Sequence, residues 1–159
     1  MRLRTSAVGK IEIERFDGNI KLIIHSARPG SVLGQNAKNL ENINLLIKKT
    51  IKKRDIKILI DVVEVEDFAL DPMIVAQDIA RRIEQRESYR FVQKSALSAA
   101  QRRGATGAKI TIGGRLNGAD ISRKQTIGFG KLPLSQLSSK IEYGYATAKT
   151  TYGQLGIKV

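Results

Sequence analysis

The spacing of apolar residues changes several times along the chain between the two-residue period of strands and the 3.6-residue period of helices. Residues 10–15 and 20–25 alternate apolar and polar side chains on either side of a turn, which predicts a β-hairpin. Residues 38–53 carry apolar side chains at spacings of three and four, which predicts a helix. The β-branched run 56–65 predicts a third strand.

A long helical region follows between residues 72 and 103. The dipeptide Asp71-Pro72 is typical of a helix start, because proline is tolerated in the first turn. The apolar faces before and after Ser88 are different, so we predict two helices with a break near Glu87 and a cap by Ser88. Gly104 is predicted to end the second helix.

The pattern returns to strands after this region. Strands are predicted at 109–112, 119–122, 141–151 and 155–159, separated by glycine-rich turns. The sequence therefore predicts an α+β protein with two domains, at residues 1–68 and 69–159. In the second domain, helices pack on a mostly antiparallel sheet.

The net charge indicates a polyanionic partner. The chain has 28 Lys and Arg against 15 Asp and Glu, a formal charge of +13, which is typical of nucleic-acid-binding proteins. An aromatic content of 5% without tryptophan argues against binding through rows of stacked bases. A membrane surface is the rival partner, but it calls for a basic amphipathic helix with exposed large apolar residues, and no membrane partner is predicted.

Catalytic and metal-binding groups are scarce. The chain has no cysteine and one histidine, His25, whose place in an alternating strand favours a structural role. No glycine-rich segment has the spacing of a nucleotide-hydrolysing loop or a dinucleotide-binding loop. We therefore predict no enzymatic activity, no metal, no cofactor and no small-molecule substrate.

The segment R-P-G-S-V-L-G-Q-N-A-K-N-L, residues 28–40, joins the second strand to the first long helix. A glycine loop between strand and helix fits a KH-type clamp for single-stranded RNA, with Gly34-Gln35-Asn36-Ala37 as its tetrad. The alternative is a plain turn whose glycines only permit positive φ.

Basic residues recur through the two predicted helices. Arg82, Arg86, Arg90 and Lys94 follow one another every four residues, and Arg102 comes eight later. A spacing of four winds slowly around a helix, so these residues form a ridge. Acidic neighbours at four-residue spacing are few, such as Asp78 before Arg82, and most of the ridge is uncompensated. With a break near Ser88, only the last three share a helix. An ordinary solvated face is the alternative interpretation.

Four blocks of the sequence resemble the bacterial-type small-subunit ribosomal protein number three. They are I-H-S-A-R-P-G-S-V-L-G-Q-N-A-K, S-Y-R-F-V-Q-K, G-G-R-L-N-G-A-D-I-S-R and I-E-Y-G-Y-A-T-A-K-T-T-Y-G-Q-L-G-I-K-V. The resemblance implies a type II KH domain followed by an α+β C-terminal domain. It also implies a structural constituent of the small-subunit head that binds small-subunit rRNA and neighbouring head proteins. This constituent lines the entrance for mRNA and helps to open message duplexes, in a bacterial cytoplasmic or an organellar ribosome.

The chain departs from the family pattern at two positions. Phe91 replaces the second arginine of F-R-R-x-x-K, while Arg90 and Lys94 are kept, so weaker duplex opening is expected. Ala37 replaces a usual glycine, so the loop is expected to dock on RNA or protein and not to grip nucleotides. Family members extend further at both ends, so the chain is interpreted as a fragment or a short form.

The residues predicted to contact RNA come from the loop, the helices and the C-terminal strands. They are Arg28, Gly34, Gln35, Asn36, Lys38, Arg86, Arg90, Lys94, Arg102, Arg115, Arg123, Lys124 and Lys131. The alternative function is a free-standing KH-type RNA-binding regulator or RNA chaperone. Co-sedimentation with small subunits distinguishes the two.

Overall fold

A computed structural model describes residues 7–16, 19–34, 38–51 and 57–159 of the chain, without the side chain of Lys38. The chain divides into two compact units, Met1–Glu66 and Asp67–Val159. The sequence predicted a division after residue 68.

The first unit contains a three-stranded sheet in the order β1-β2-β3. Strands β1 (Val8–Phe16) and β2 (Asn19–Ser26) form the predicted antiparallel hairpin, and β3 (Ile58–Glu64) pairs parallel to β2. Parallel neighbours need a crossover, and helices α1 (Pro29–Leu33) and α2 (Lys38–Ile51) belong to it. The predicted turn residues 17 and 18, the helix residues 52 and 53, and the strand residue 56 lie outside the described residues.

The second unit begins with two helices, α3 (Pro72–Glu84) and α4 (Tyr89–Arg102). The predicted start at Asp71-Pro72 is confirmed: the Asp71 carboxylate accepts hydrogen bonds from the backbone N–H of Met73 at 2.8 Å and of Ile74 at 3.1 Å. The carboxylate therefore satisfies two N–H groups that have no partner inside the helix.

The predicted break near Glu87 is confirmed. Helix α3 ends in a Schellman-type turn, in which Arg86 N–H donates to Ile83 O and Glu87 N–H donates to Arg82 O. Ser88 is the N-cap residue of α4, as predicted, although its side chain makes no capping hydrogen bond. The second helix ends at Arg102, and Gly104 follows it with a φ of 83°.

A four-stranded antiparallel sheet completes the second unit. Its strands are β4 (Gly107–Gly114), β5 (Arg123–Gly130), β6 (Tyr145–Thr150) and β7 (Gly153–Lys158), in the order β5-β4-β7-β6.

Two of the predicted strands differ from this sheet. The prediction of a strand at 119–122 is wrong, because a 3₁₀ turn at Leu116–Gly118, with Asn117 at a φ of 55°, delays the strand to residue 123. The glycines Gly128 and Gly130 lie inside β5 and not in a turn. The strand predicted from residue 141 begins only at Tyr145.

Helices α3 and α4 cover one face of this sheet. Buried side chains of both helices, such as Ile79 and Val92, pack with Ile110, Ile112 and Ile157 of the strands. The alternate strand positions face away from the helices, so the second unit has a helix side and a sheet side. No described helix is long and apolar enough to cross a membrane.

Candidate nucleic-acid interface

The acidic side chains of residues 69–159 are all occupied by contacts within the unit. Asp71 caps α3, Asp78 pairs with Arg81, Glu84 accepts from the backbone N–H of Lys149, Glu87 pairs with Arg82, Asp120 with Arg115, and Glu142 with Lys140. A further pair joins Arg103 to Asp67. The acidic side chains of this unit are therefore not available to neutralise its other basic residues.

Ten of the fifteen basic side chains in this fully described segment form no ion pair with a described carboxylate. They are Arg86, Arg90, Lys94, Arg102, Lys109, Arg123, Lys124, Lys131, Lys149 and Lys158. A polyanion can bind them without breaking an ion pair of the fold, which lowers the electrostatic cost of binding.

Four of these residues form what we name the helix surface: Arg86, Arg90, Lys94 and Arg102. All four are exposed, and the last three project from α4, while Val92 and Leu97 of the same helix are buried against the sheet. At 1.5 Å per residue, Lys94 lies about 6 Å along the helix from Arg90, and Arg102 about 12 Å further. Positive charge thus runs along the exposed side of α4.

Arg82 does not belong to this surface. Its Nε and Nη2 atoms donate to Glu87 Oε2 at 2.9 and 2.7 Å, and its guanidinium lies 5.7 Å from the centre of the Phe91 ring. The hydrogen bond from Arg82 lowers the pKa of Glu87, and the same contact raises the pKa of Arg82. The sequence pointed to Asp78 as the acidic neighbour of Arg82, but Asp78 pairs with Arg81, and the turn brings Glu87, five residues further along the chain, to Arg82.

Arg86 occupies the turn between the helices in a left-handed conformation, with a φ of 67°. This position of a Schellman turn is usually glycine, because a Cβ makes the conformation unfavourable by roughly 1–2 kcal/mol. The arginine places an exposed positive charge at the start of the helix surface.

Arg90 is held by its neighbour in the chain. Its Nε donates to Tyr89 Oη at 3.0 Å, and its guanidinium lies 5.6 Å from the centre of the Tyr89 ring. The Tyr89 side chain is buried, so it is a fixed support for the exposed cation. A cation that is already ordered loses less conformational entropy when it binds a ligand.

Arg115 is engaged within the unit. Its Nε donates to Ala119 O at 2.9 Å, Nη1 to Tyr152 O at 3.3 Å, and Nη2 to Asp120 Oδ1 at 3.2 Å. Gly118 lies against the Tyr152 ring, where a Cβ would approach to 3.0 Å. The G-R-L-N-G-A-D and T-T-Y-G blocks are therefore one packed structure. This structural role of Arg115 was missed from the sequence, and its RNA contact remains a prediction.

Four lysines project from the side of the sheet that the helices do not cover, and we name them the sheet surface: Lys109, Lys124, Lys149 and Lys158. All four are exposed. Only Lys124 was predicted from the sequence. The missed signal is the two-residue alternation, since Lys109 precedes buried Ile110, Lys149 follows buried Ala148, and Lys158 follows buried Ile157.

Two other predicted residues lie at the ends of β5. Arg123 is exposed at its start, at a strand position that alternates with Lys124 and so belongs to the opposite face, and Lys131 is exposed directly after its end. Lys131 lines one open groove together with Lys109 and Lys158. The structure thus brings Lys131 to the sheet surface, while Arg86, Arg90, Lys94 and Arg102 lie on the helix side.

The loop of the first unit is described only in part. Arg28 is exposed, and its backbone N–H donates to Ser26 Oγ at 3.1 Å. Gly34 has a φ of 70°, and a Cβ there would collide with the Asn39 side chain, so glycine is required. The predicted contacts Gln35 and Asn36, the altered position Ala37 and the side chain of Lys38 lie outside the described residues.

The uncovered face of the first sheet has balanced charge. Lys10 lies 2.6 Å from Glu12, Lys21 lies 3.2 Å from Asp61, and His25 Nε2 lies 3.6 Å from Glu12. The described part of the uncovered face of the first sheet therefore lacks unpaired lysines. Elsewhere in the first unit, basic residues that form no ion pair with a described carboxylate are Arg15, Arg28, Lys48, Lys49 and Lys57. Among the described residues, no group of histidine and carboxylate side chains is placed to hold a metal ion.

Known proteins match the chain along nearly its whole length. The family model described as KH domain matches residues 2–70, and the one described as ribosomal protein S3, C-terminal domain, matches residues 79–159. Small ribosomal subunit protein uS3 of Mesoplasma florum is 43% identical over 157 residues, which are 99% of this chain and 65% of the relative. The corresponding protein of Lysinibacillus sphaericus is 40% identical over 99% of this chain and 71% of its own length.

These matches confirm the predicted fold, a KH domain followed by a second α+β domain, and the resemblance on which it rested. They also confirm the prediction of a non-enzymatic, structural family. The chain spans 65% of the length of the Mesoplasma florum relative.

Proposed function

Because the chain belongs to the ribosomal protein S3 family, we propose that it is a structural component of the small ribosomal subunit that binds the subunit's rRNA. The observation that carries this proposal is the set of ten basic side chains without carboxylate partners in residues 69–159. Ribosomal RNA presents a dense array of phosphates, and each phosphate contact with such a cation releases a condensed counterion.

The helix surface is the part of the molecule that we assign to mRNA at the entrance of the subunit. Arg90 and Lys94 lie one turn apart on the exposed side of α4, and Arg90 is ordered by Tyr89. Phe91 lies beside them against Arg82 and adds no charge. We therefore expect this chain to contact mRNA but to open message duplexes less efficiently than a relative with two consecutive arginines.

Neighbouring proteins of the subunit head are the other proposed partners, and the bacterial cytoplasmic or organellar ribosome is the proposed location. The exposed apolar side chains Leu134, Leu137 and Tyr143 between β5 and β6 are available for such a protein contact.

Reconstitution tests the proposal. Small subunits assembled without their own uS3 are supplied with this chain and separated on a sucrose gradient. Co-sedimentation of the chain with the subunits is expected, and it should persist when Arg90, Lys94 and Arg102 are changed to glutamine, because the helix surface is assigned to mRNA and not to assembly. A chain that remains at the top of the gradient but still binds RNA in solution would favour the free-standing regulator.

A further inference from the structure

We propose that the sheet surface of the second unit is a second RNA-binding surface, which binds the phosphate backbone of helical RNA while the helix surface holds a different RNA segment. The inference rests on the proposed RNA-binding function of this unit. It adds a site, a class of RNA and a bridging role for one domain.

The strand register places the four lysines on one face. Lys158 is opposite Thr111, and Lys109 precedes Thr111 by two residues, so all three side chains point the same way. On β5, Lys124 is opposite Gly113, which follows Thr111 by two. On β6, Lys149 is opposite Gln154, four residues before Lys158, and thus joins the same face.

The other strand positions on this face are threonine, glycine, one glutamine and one tyrosine, and none is acidic. The uncovered face of the first sheet provides a contrast within the same chain, because there each described lysine of the strands has a carboxylate partner. Positive charge on the second sheet is therefore not a general consequence of the basic composition.

The shape of the face favours a helical RNA backbone over single-stranded bases. Three strand spacings of about 4.8 Å make the face about 14 Å wide, and the lysines are spread over it and do not form a line. Small side chains occupy most strand positions between the lysines, and the hydroxyls of Thr111 and Thr126, 3.0 Å apart, add hydrogen-bonding groups. The segment after β5 borders one end of the face as the wall of a groove, where Glu142 is paired with Lys140. Tyr145, the aromatic residue on these strand positions, lies against Gly156, where a Cβ would be 3.5 Å from its hydroxyl. Stacking of several bases has no platform there.

The two surfaces lie on opposite sides of the domain. Helix α4 packs on the sheet through Val92 and Leu97, so its exposed residues Arg90 and Lys94 face away from the strands. The four lysines project from the other side of the same sheet. One RNA helix and one single strand can therefore bind at the same time without contact between them.

Two sets of substitutions separate the surfaces in the full chain. The sheet variant carries Lys109→Gln, Lys124→Gln, Lys149→Gln and Lys158→Gln, and the helix variant carries Arg90→Gln, Lys94→Gln and Arg102→Gln. A control variant removes four positive charges from the first unit through Lys10→Gln, Lys21→Gln, Lys48→Gln and Lys49→Gln. Each is titrated with an RNA hairpin whose stem has about 16–20 base pairs, and with an unstructured single strand, over a range of salt concentrations.

We expect the sheet variant to bind the hairpin at least about tenfold more weakly than the control and to lose roughly two to four units of salt slope, since each duplex phosphate contact contributes about 0.9. Its affinity for the single strand should change less than about threefold. The double change Lys109→Gln and Lys158→Gln should lower the salt slope by about half as much as the quadruple variant does. It serves as the test if the quadruple variant melts at a lower temperature than the parent.

A bridging measurement completes the test. The parent chain should capture the labelled hairpin on a surface that carries the single strand, and either variant should lose this capture. Hairpin affinity within about twofold of the control would overturn the proposal and leave the proposed function intact. A sheet variant that binds both RNAs normally but no longer joins small subunits would also overturn the proposal, because the face would then bind an acidic protein, and it would leave the proposed function intact. A parent chain that binds neither RNA would remove both proposals.

Discussion

Arg82 and Glu87 face each other across the turn between α3 and α4, with Glu87 Oε2 2.9 Å from Arg82 Nε and 2.7 Å from Arg82 Nη2. The turn that brings them together also places Arg86 at positive φ. Arg82 of the predicted ridge is therefore paired with Glu87 at the junction between the helices, whereas Arg86, the next residue of the ridge, is exposed. Substitution of a cation paired within the fold should therefore change stability, whereas substitution of an unpaired, exposed cation should change RNA binding.

The Arg82–Glu87 contact should make stability depend on acid. The hydrogen bond from Arg82 lowers the pKa of folded Glu87 below 4.5, its ordinary value. A lowered carboxylate pKa stabilises the folded state above the unfolded pKa, and this contribution is lost as pH falls through the folded pKa. The melting temperature of the parent should therefore exceed that of Glu87→Gln at neutral pH, and the gap should narrow below about pH 4.5. A gap that is constant from pH 6 to 3, or one shared by Glu66→Gln, would contradict this.

Arg86 offers a comparison of two variants with the same charge. Both Arg86→Gly and Arg86→Ala remove the cation, but only glycine adopts a φ of 67° without strain. We expect the glycine variant to be more stable than the alanine variant by about 1 kcal/mol in urea unfolding. Both should lower the salt slope of RNA binding by about 0.7, the contribution of one single-strand phosphate. Equal stability of the two would show that the turn accommodates the Cβ.

Arg115 should matter more for stability than its exposure suggests. Arg115→Lys keeps the charge but cannot reproduce the three directed bonds to Ala119, Tyr152 and Asp120. We expect a loss of about 1–3 kcal/mol in the free energy of unfolding, measured by urea titration. RNA affinity measured well below the urea midpoint should stay within about twofold of the parent. A variant with parental stability and weakened RNA binding would return Arg115 to the role that the sequence predicted.

Local features of this fold were predictable from the sequence, and non-local ones were not. The hairpin and the helix start at Asp71 depend on neighbouring residues, so alternation and capping signals locate them. Strand β5 was missed because glycines usually interrupt strands, whereas Gly128 lies where Ala108 O leaves little room for a side chain.

The candidate site shows the same limit. Charge spacing along α4 identified Arg90 and Lys94, because both lie on one helix. The Arg82–Glu87 pair escaped a search at helical spacings, since a turn separates its members. Lys109, Lys149 and Lys158 come from three strands, and only the register of the sheet brings them to one face.

Arg90 and Lys94 carry the most direct test of the helix surface. Both side chains are exposed and neither forms an ion pair with a described carboxylate, so a single strand of RNA can place a phosphate on each. Arg90→Glu combined with Lys94→Glu should weaken binding of single-stranded RNA regardless of sequence and flatten its salt dependence by roughly one to one and a half units. The free energy of unfolding should change by less than about 0.5 kcal/mol, as is usual for exposed charges.

The matched control for this double change is Lys48→Glu combined with Lys49→Glu, which reverses two exposed charges on α2 of the first unit. In reconstituted subunits, the α4 variant should assemble but pause longer on structured messages, measured as slower translation through a stable hairpin than through an unpaired sequence. The control should translate both like the parent. Unchanged affinity and salt slope in an α4 variant with the parental melting temperature would reduce the helix surface to an ordinary solvated face.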